Sequence, residues 1–330
     1  MRLLNMPPRT LAARAAIPAV PMRAVLAAGA LLALAACNTQ APRDGTASAP
    51  SATTARAAAL SPARIAEIVA SPDRSEADRR NDLRRKPREM LAFIGVRPGM
   101  TALDLSAAGG YTTELIARAT GPTGRVYGQS PARPPASRPA QPEGASAPAP
   151  MGASPAPMGA SPAPMGASPA PMGTAPAPAA GPRPSPVALA ERAKNPNASN
   201  IVAVVRPFED PVPPELANGG LDLVTLMFNY HDFGHMGVDR AALNRAVFAA
   251  LKPGGLYVIA DHAGRPGTGI SESGTLHRIE EKFLRAEVAQ AGFRLAAEGD
   301  FLRNASDPRD RNTPEPPQPK DEFVLKFVKP

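Results

Sequence analysis

The stretch that decides the fold lies at residues 101–120 and reads TALDLSAAGGYTTELIARAT. Its first part, Thr101 to Leu105, is a short apolar run that predicts a buried strand, and Thr112 to Ala119 predicts a helix. The loop between them consists of small residues, which let a backbone approach a ligand and let a helix pack closely on a strand. Because ligands of open α/β sheets bind beyond the carboxyl ends of the strands, this loop is a candidate binding site, and Asp104 is placed to hold a polar group of the ligand.

Outward from this stretch, segments typical of strands alternate with segments typical of helices. Further strands are predicted at 125–129, 201–205, 221–228, 256–260, 293–298 and 323–328, and helices from residue 61, over 78–90, and at 187–194, 240–251 and 275–292. This alternation predicts an α/β fold with a mostly parallel sheet.

One internal tract breaks the alternation. Proline accounts for 42 and glycine for 27 of the 330 residues, a bias typical of low-complexity segments beside a normal domain. Residues 130–186 are especially rich in proline and contain the repeat Pro-Met-Gly-Ala-Ser-Pro-Ala, which places Met151, Met158, Met165 and Met172 seven residues apart. We predict a disordered Pro/Ala/Met-rich insertion, because proline prevents helix and sheet ladders. A copper site on the methionine sulfurs is the alternative, but this spacing in a mobile chain brings no ligands together.

The N-terminal segment reads as an export signal. Residues 1–23 are basic, and Ala24 to Ala36 is an apolar run too short to span a bilayer, which needs about 20 residues. The run ends at Cys37, the single cysteine, in a sequence that resembles a bacterial lipobox. That resemblance implies a lipoprotein signal peptide over 1–36, an acylated Cys37 that anchors the protein to a membrane, a flexible tether over 37–60 and a folded domain over 61–330. Asn38 favours the periplasmic face of the outer membrane, hence the cell envelope. An ordinary signal peptide with a chance cysteine is the alternative.

Charge and cysteine content exclude several classes of protein. One cysteine excludes an intramolecular disulfide and a multi-cysteine metal site. The net charge of +8 includes four arginines of the predicted signal, so the remaining charge is modest and we expect no nucleic-acid partner. The sequence also lacks the Gly-x-Ser-x-Gly motif that would indicate a serine hydrolase.

Several ordered motifs resemble the class I S-adenosylmethionine-dependent methyltransferases. They are Arg97-Pro98-Gly99-Met100 before the first strand, the glycine loop, Gly121-Pro122-x-Gly124-Arg125-Val126 before the second strand and Leu251-Lys252-Pro253-Gly254-Gly255 before the fifth. More narrowly, Asn229-Tyr230-His231-Asp232, Asp261-His262, Leu302-Arg303-Asn304 and Asp307-Pro308-Arg309-Asp310 look like a bacterial group of predicted methyltransferases, many with export signals.

This resemblance implies both a fold and a reaction. The fold is a Rossmann-like methyltransferase fold, with a mostly parallel seven-stranded sheet, helices on both faces and an antiparallel last strand. The cofactor is S-adenosyl-L-methionine, and the acceptor of its methyl group is an unidentified small molecule. The implied cofactor-binding residues are Asp104, Ser106, Ala107, Ala108, Gly109, Gly110, Tyr111 and Gln129.

The binding loop departs from the family's usual acidic-x-Gly-x-Gly-x-Gly pattern. Ser106 and Ala108 replace the first two glycines, and Gly110 keeps the third. A positive φ at either replaced position would cost energy. Gln129 stands where an acid usually holds the ribose hydroxyls, and it can still donate or accept a hydrogen bond.

The candidate catalytic residues are Asn229, Tyr230 and His231, which follow the predicted fourth strand. With a reference pKa of about 6.5, His231 could act as a general base near neutral pH, or it could be a structural side chain that ties the loop to the sheet. Methyl transfer often needs little more than alignment of the acceptor with the sulfonium, so a base is optional.

A metal site is a second interpretation of the same region. All four histidines, His231, His235, His262 and His277, lie in the C-terminal half, together with Asp232 and Asp261. Phe233-Gly234 indicates a loop rather than a helix between the first two histidines, so we predict no bound metal.

Three functions therefore remain open. The first is a methyltransferase, although S-adenosylmethionine is made in the cytoplasm and a lipoprotein faces outside it. The second is a catalytically degenerate ligand-binding protein of the same fold in the cell envelope. The third is a metal-dependent enzyme that uses the His231/His262 cluster.

Overall fold

The computed structural model describes residues 58–132, 184–312 and 319–330. The predicted signal peptide, Cys37 and most of the predicted tether and insertion therefore lie outside the described residues. Within the described ranges, no helix combines the length and the apolar character needed to cross a membrane.

Seven strands and seven α-helices form the described fold. The strands are β1 (Thr101–Leu105), β2 (Arg125–Ser130), β3 (Ile201–Val205), β4 (Leu221–Met227), β5 (Leu251–His262), β6 (Arg294–Gly299) and β7 (Glu322–Val328). The helices are α1 (Pro62–Ala70), α2 (Glu76–Arg85), α3 (Pro87–Ile94), α4 (Tyr111–Thr120), α5 (Ser185–Arg192), α6 (Arg240–Ala250) and α7 (Glu281–Gln290).

All seven strands belong to one sheet, in the order β3-β2-β1-β4-β5-β7-β6. The first five strands are parallel, and β7 runs antiparallel between β5 and β6. The chain leaves β1 toward β2 and β3 and then returns to β4 on the other side of β1. This reversal places the topological switch point, where α/β sheets bind ligands, at the carboxyl ends of β1 and β4.

Helices cover both faces of the sheet, each over its own hydrophobic core. One core contains Ile68 of α1, Leu91 of α3, Ile116 of α4 and Leu189 of α5. The other contains apolar side chains of α6 and α7. The predicted Rossmann-like α/β fold, with its mostly parallel seven-stranded sheet and antiparallel last strand, is confirmed.

Two predicted helices are wrong in detail. The helix predicted over 78–90 is divided into α2 and α3, because Lys86 adopts a left-handed conformation with φ 44° and Pro87 begins a new helix. The helix predicted over 275–292 begins only at Glu281, because the preceding segment pairs with the end of β5 through a bridge between Ala263 and Ile279.

The edges of the predicted insertion also move inward. Ser130 is the last residue of β2 and Ser185 is the first of α5. Both edges of the predicted 130–186 tract therefore belong to the fold.

Candidate functional site

The loop after β1 has an alternating left-handed backbone. Its φ angles are 54° at Ser106, 46° at Ala108 and 82° at Gly110. For a residue with a Cβ atom, this conformation costs roughly 1–2 kcal/mol. Ser106 and Ala108 thus hold the conformation that glycine adopts freely, and the surrounding structure must compensate for the strain.

Gln129 supports this loop from below. Its side-chain Oε1 accepts a hydrogen bond from the Ser106 N–H (N···O 3.0 Å), and its Nε2 donates to the Arg206 carbonyl at 2.7 Å. Its backbone carbonyl accepts from the Ala107 N–H at 2.8 Å. Gln129 is fully buried. Any contact of its amide with ribose hydroxyls would therefore compete with the bonds that hold the loop.

Asp104 joins three elements beneath the same loop. Its carboxylate accepts hydrogen bonds from the hydroxyls of Thr113 in α4 (2.6 Å) and Thr225 in β4 (2.7 Å). The side chain is buried, and its negative charge lies near the N-terminus of α4, where the helix dipole favours it. Asp104 therefore fixes the start of α4 against β1 and β4.

Helix α5 packs against the side of the loop. A Cβ atom at Gly110 or Gly128 would lie 2.7 or 2.6 Å from the side chain of Leu189, so α5 fits only because both residues are glycine. Arg192 donates from Nε to the Gly109 carbonyl and binds both carboxylate oxygens of Asp78 at 2.7 and 2.9 Å. The helix that follows the predicted insertion is thus part of the wall of the site.

Two buried polar atoms at this edge of the sheet have no partner among the described residues. They are Oγ of Ser130, at the end of β2, and Oδ1 of Asn229, just beyond β4. An unpaired buried polar atom is costly, so such atoms indicate a bound water or ligand. The loop after β1 lies between these two atoms, because β1 lies between β2 and β4 in the sheet. Ala108 and Gly109 of this loop are exposed. The edge therefore offers an exposed backbone and two unused polar groups, which suits a polar nucleoside ligand such as S-adenosylmethionine.

The side chain of Tyr230, one of the candidate catalytic residues, points away from this edge of the sheet. Its hydroxyl donates to Glu287 of α7 (3.0 Å) and accepts from Asn244 of α6 (2.8 Å). The residue is fully buried in the core beneath these helices. Burial and the Glu287 charge raise the pKa of Tyr230, so the hydroxyl keeps its proton at neutral pH.

His231 is buried between two carboxylates. Its Nδ1 lies 2.6 Å from Oδ1 of Asp261, and its Nε2 lies 3.1 Å from Oδ1 of Asp232. Burial disfavours the charged form, but the charge of Asp261 and the hydrogen bonds to both carboxylates raise the pKa of His231 to about 9. A histidine protonated at neutral pH cannot accept a proton, so this arrangement favours the structural interpretation of His231 over the general base.

The remaining histidines divide into two environments. His277 Nδ1 lies 2.8 Å from Oδ1 of Asp232, and His235 Nδ1 lies 3.0 Å from the Ser273 hydroxyl. The ring of His262 packs against that of His231, with 5.3 Å between their centroids. It is mostly buried, and burial lowers the pKa of His262 well below 6.5. Sequence reasoning paired His231 with His262. The sequence placed all four histidines in a candidate metal site, but the helix predicted over 275–292 gave no sign that His277 contacts Asp232.

Two cavities of the described fold lie away from the loop 106–110. A small one of about 20 Å³, between α3, α4 and the end of β4, could hold about one water molecule. A larger one of about 290 Å³ is lined by Ala263, Gly264, Glu281, Arg303, Ala305, Arg309 and Asp321.

Comparison with known proteins gives similarity at the level of structure. No protein-family model matches the sequence, and no curated protein matches it significantly. A SAM-dependent methyltransferase from Aquifex aeolicus is 14% identical, with 82% of this chain and 100% of that chain covered and a TM-score of 0.46. An arsenic(III) S-adenosylmethionine methyltransferase from Chlamydomonas reinhardtii is 14% identical, with 82% and 74% covered and a TM-score of 0.44. Fibrillarin from Aeropyrum pernix, solved with natively bound S-adenosyl-L-methionine, is 16% identical, with 71% and 68% covered and a TM-score of 0.37. Similarity this low does not establish an activity, and the fold class rests on the strand order and register.

Proposed function

We propose that this protein binds S-adenosyl-L-methionine at the loop after β1 and transfers its methyl group to a small-molecule acceptor. The observation that supports this most directly is the left-handed conformation of Ser106, Ala108 and Gly110 at the switch point of the sheet. Two of these residues adopt it at an energetic cost, and strain of this kind is typical of functional sites.

The chain's own residues would bind and orient the two reactants. The exposed backbone of Ala108 and Gly109 would contact the cofactor, with Asp104 fixing the start of α4 beside it. The unpaired atoms of Ser130 and Asn229 would bind polar groups of cofactor or acceptor. When bound, the cofactor supplies an activated methyl group on sulfur. Alignment of an electron-rich acceptor atom is then the main requirement, so no general base is needed.

Calorimetric titration of the full chain with S-adenosylmethionine and its demethylated product tests this proposal. Gly109 offers a sharp variant, because a Cβ atom there meets nothing within 4 Å and its φ is not left-handed. We expect Gly109→Leu to leave the melting temperature unchanged while its side chain fills the crevice and weakens binding at least tenfold. Gly109→Ala is the matched control and should retain most of the affinity. Absence of binding by folded wild-type protein, or equal binding by Gly109→Leu, would contradict the proposed site.

A binding protein without turnover is the second candidate. It is favoured by the engagement of both ends of the Gln129 amide within the protein and by the non-glycine residues of the loop. Binding of S-adenosylmethionine without methyl transfer to any of a panel of oxygen, nitrogen and sulfur nucleophiles would support it. Formation of demethylated cofactor in the presence of one such nucleophile would favour the enzyme.

We also propose that the protein is a lipoprotein of the cell envelope, anchored through Cys37. The support is the order of the N-terminal sequence, basic, then apolar, then a single cysteine. Metabolic labelling with a fatty acid should mark the wild-type protein and leave Cys37→Ser unlabelled. Labelling of both proteins, or of neither, would exclude Cys37 as the lipidation site.

A further inference from the structure

A compact group of metal-ligand atoms lies where the chain leaves β4 and β5. Nε2 of His231 and Nδ1 of His277 lie 3.1 and 2.8 Å from the same atom, Oδ1 of Asp232. One ligand atom from each of the three residues lies within 4.8 Å of the others. The three residues come from two segments, since the loop after β4 provides His231 and Asp232 and the segment before α7 provides His277.

We infer that His231, Asp232 and His277 bind a divalent transition-metal cation of the zinc type. Zinc–nitrogen and zinc–oxygen bonds of roughly 2.0–2.1 Å in a tetrahedron place the ligand atoms about 3.3 Å apart. The two observed separations of 3.1 and 2.8 Å require only small outward movements of the side chains. Two imidazoles and one carboxylate with an open fourth position form the kind of ligand set found in catalytic zinc sites. Because a ligating imidazole nitrogen must be unprotonated, the cation displaces to solvent the proton that Nε2 of His231 carries in its absence.

A second layer of hydrogen bonds orients two of the ligands. Asp261 is fully buried, and it accepts from the His231 backbone N–H at 2.8 Å while its other oxygen lies 2.6 Å from His231 Nδ1. A carboxylate on one ring nitrogen directs the other nitrogen of a metal-binding histidine toward the cation. Asn229 Nδ2 donates to Oδ2 of Asp232 at 3.0 Å, which leaves Oδ1 of Asp232 toward the two imidazoles.

The backbone that carries His277 is held in an unusual conformation. His277 has a φ of 51°, although it is not glycine. The segment is fixed just beyond it, because Ile279 forms the bridge to Ala263 and a Cβ atom at Gly264 would lie 2.9 Å from the Ile279 carbonyl carbon. Strained residues persist where the surrounding structure enforces them, and such residues cluster at functional sites.

The cluster is open on one side. The side chain of His231 is buried, whereas those of Asp232 and His277 are 22% and 39% exposed. A cation could therefore enter from solvent and keep a water molecule or an acceptor in its fourth position. His235 stands beside the cluster, with its Nδ1 3.8 Å from Asp232 Oδ1 and 3.0 Å from the Ser273 hydroxyl, and so lies outside the ligand set.

Metal titration of the full chain tests this site, independently of S-adenosylmethionine binding. The protein is dialysed against a chelator and then titrated with Zn²⁺, and with Co²⁺ as a spectroscopic probe. We expect one equivalent of either ion, a visible Co²⁺ absorption typical of a four-coordinate site and a higher melting temperature with Zn²⁺. Asp232→Asn and His277→Ala should each lower the affinity at least tenfold, whereas the matched control His235→Ala should retain it.

Two results would overturn the assignment. One is absence of binding by the folded wild-type protein, in which case the three residues form a hydrogen-bonded cluster without metal. The other is binding that survives Asp232→Asn and His277→Ala, or that His235→Ala abolishes as fully as His277→Ala. If His277→Ala fails to fold, Asp232→Asn decides the question, because asparagine has nearly the same shape as aspartate.

Discussion

The side-chain oxygen of Gln129 lies 3.0 Å from the backbone nitrogen of Ser106, so the end of β2 fixes the first left-handed residue of the loop after β1. The other end of the same amide reaches the Arg206 carbonyl beyond β3. One side chain therefore connects the carboxyl ends of three neighbouring strands at the edge where the sheet is expected to bind its ligand.

Removal of this connection should destabilise the protein. Gln129→Ala leaves the Ser106 N–H and the Arg206 carbonyl without these partners, and an unsatisfied buried polar group costs roughly 1–3 kcal/mol. We expect the free energy of unfolding, measured by urea denaturation, to fall by at least 1 kcal/mol. Gln290→Ala, at the exposed end of α7, is the matched control and should stay within about 0.5 kcal/mol of wild type. Equal free energies of unfolding for the two variants would show that the hydrogen bonds of the Gln129 side chain do not stabilise the fold.

The left-handed loop residues lead to a second prediction, in which the same substitution has opposite effects at adjacent positions. Ala108→Gly removes roughly 1–2 kcal/mol of strain and adds about 0.4–1 kcal/mol of unfolded-state entropy, so stability should be unchanged or slightly higher. Ala107 is buried and its φ is not positive. Ala107→Gly should therefore cost about 1–2 kcal/mol through lost burial and added entropy. Thermal or urea unfolding of the two variants measures these changes. If Ala108→Gly loses more stability than Ala107→Gly, the left-handed backbone at Ala108 is not strained.

Close packing of α5 on β2 predicts a non-additive pair of substitutions. A Cβ atom at Gly128 would lie 2.6 Å from Cδ1 of Leu189, which is fully buried. Gly128→Ala should cost roughly 1–3 kcal/mol by overpacking, and Leu189→Ala about 2–5 kcal/mol by leaving a cavity. The new methyl group would partly fill that cavity, so the double variant should lose clearly less than the sum of the two. If the losses in free energy of unfolding, measured by urea denaturation, are additive, then the side chains at positions 128 and 189 do not pack against each other.

The sequence predicted the scaffold better than the site. Apolar segments identified all seven strands. The signal is strongest in the central strands β1 and β4, because they are buried on both faces of the sheet. Local patterns could not show that Gln129 turns beneath the loop or that Tyr230 turns into the core under α6 and α7. Those orientations depend on partners 23 to 77 residues away for Gln129 and 57 residues away for Tyr230.

The histidines illustrate the same limit. His277 was expected to begin a helix, and its segment instead pairs with the end of β5, which brings the imidazole to Asp232. Helical periodicity in residues 275–280 gave no sign of this, because the long-range pairing overrides a weak local preference.

The ion pair between α5 and α2 predicts a loss of stability in acid. Burial opposes ionisation of Asp78, but its hydrogen bonds to Arg192 and the Arg192 charge outweigh burial and lower the pKa of Asp78 below 3.8. The unfolded chain then binds more protons than the folded chain as the pH falls below about 4, so this contribution is complete at neutral pH and is lost in acid. Asp78→Asn should lower the free energy of unfolding by about 1.5–3 kcal/mol at pH 7, and the gap to wild type should narrow as the pH falls toward 3. The matched control is Asp210→Asn, because Asp210 pairs with Arg206 at an exposed position and should contribute little at any pH. If the difference in free energy of unfolding between wild type and Asp78→Asn stays constant from pH 7 to pH 3 in urea denaturation, the Asp78 carboxylate does not stabilise the packing of α5.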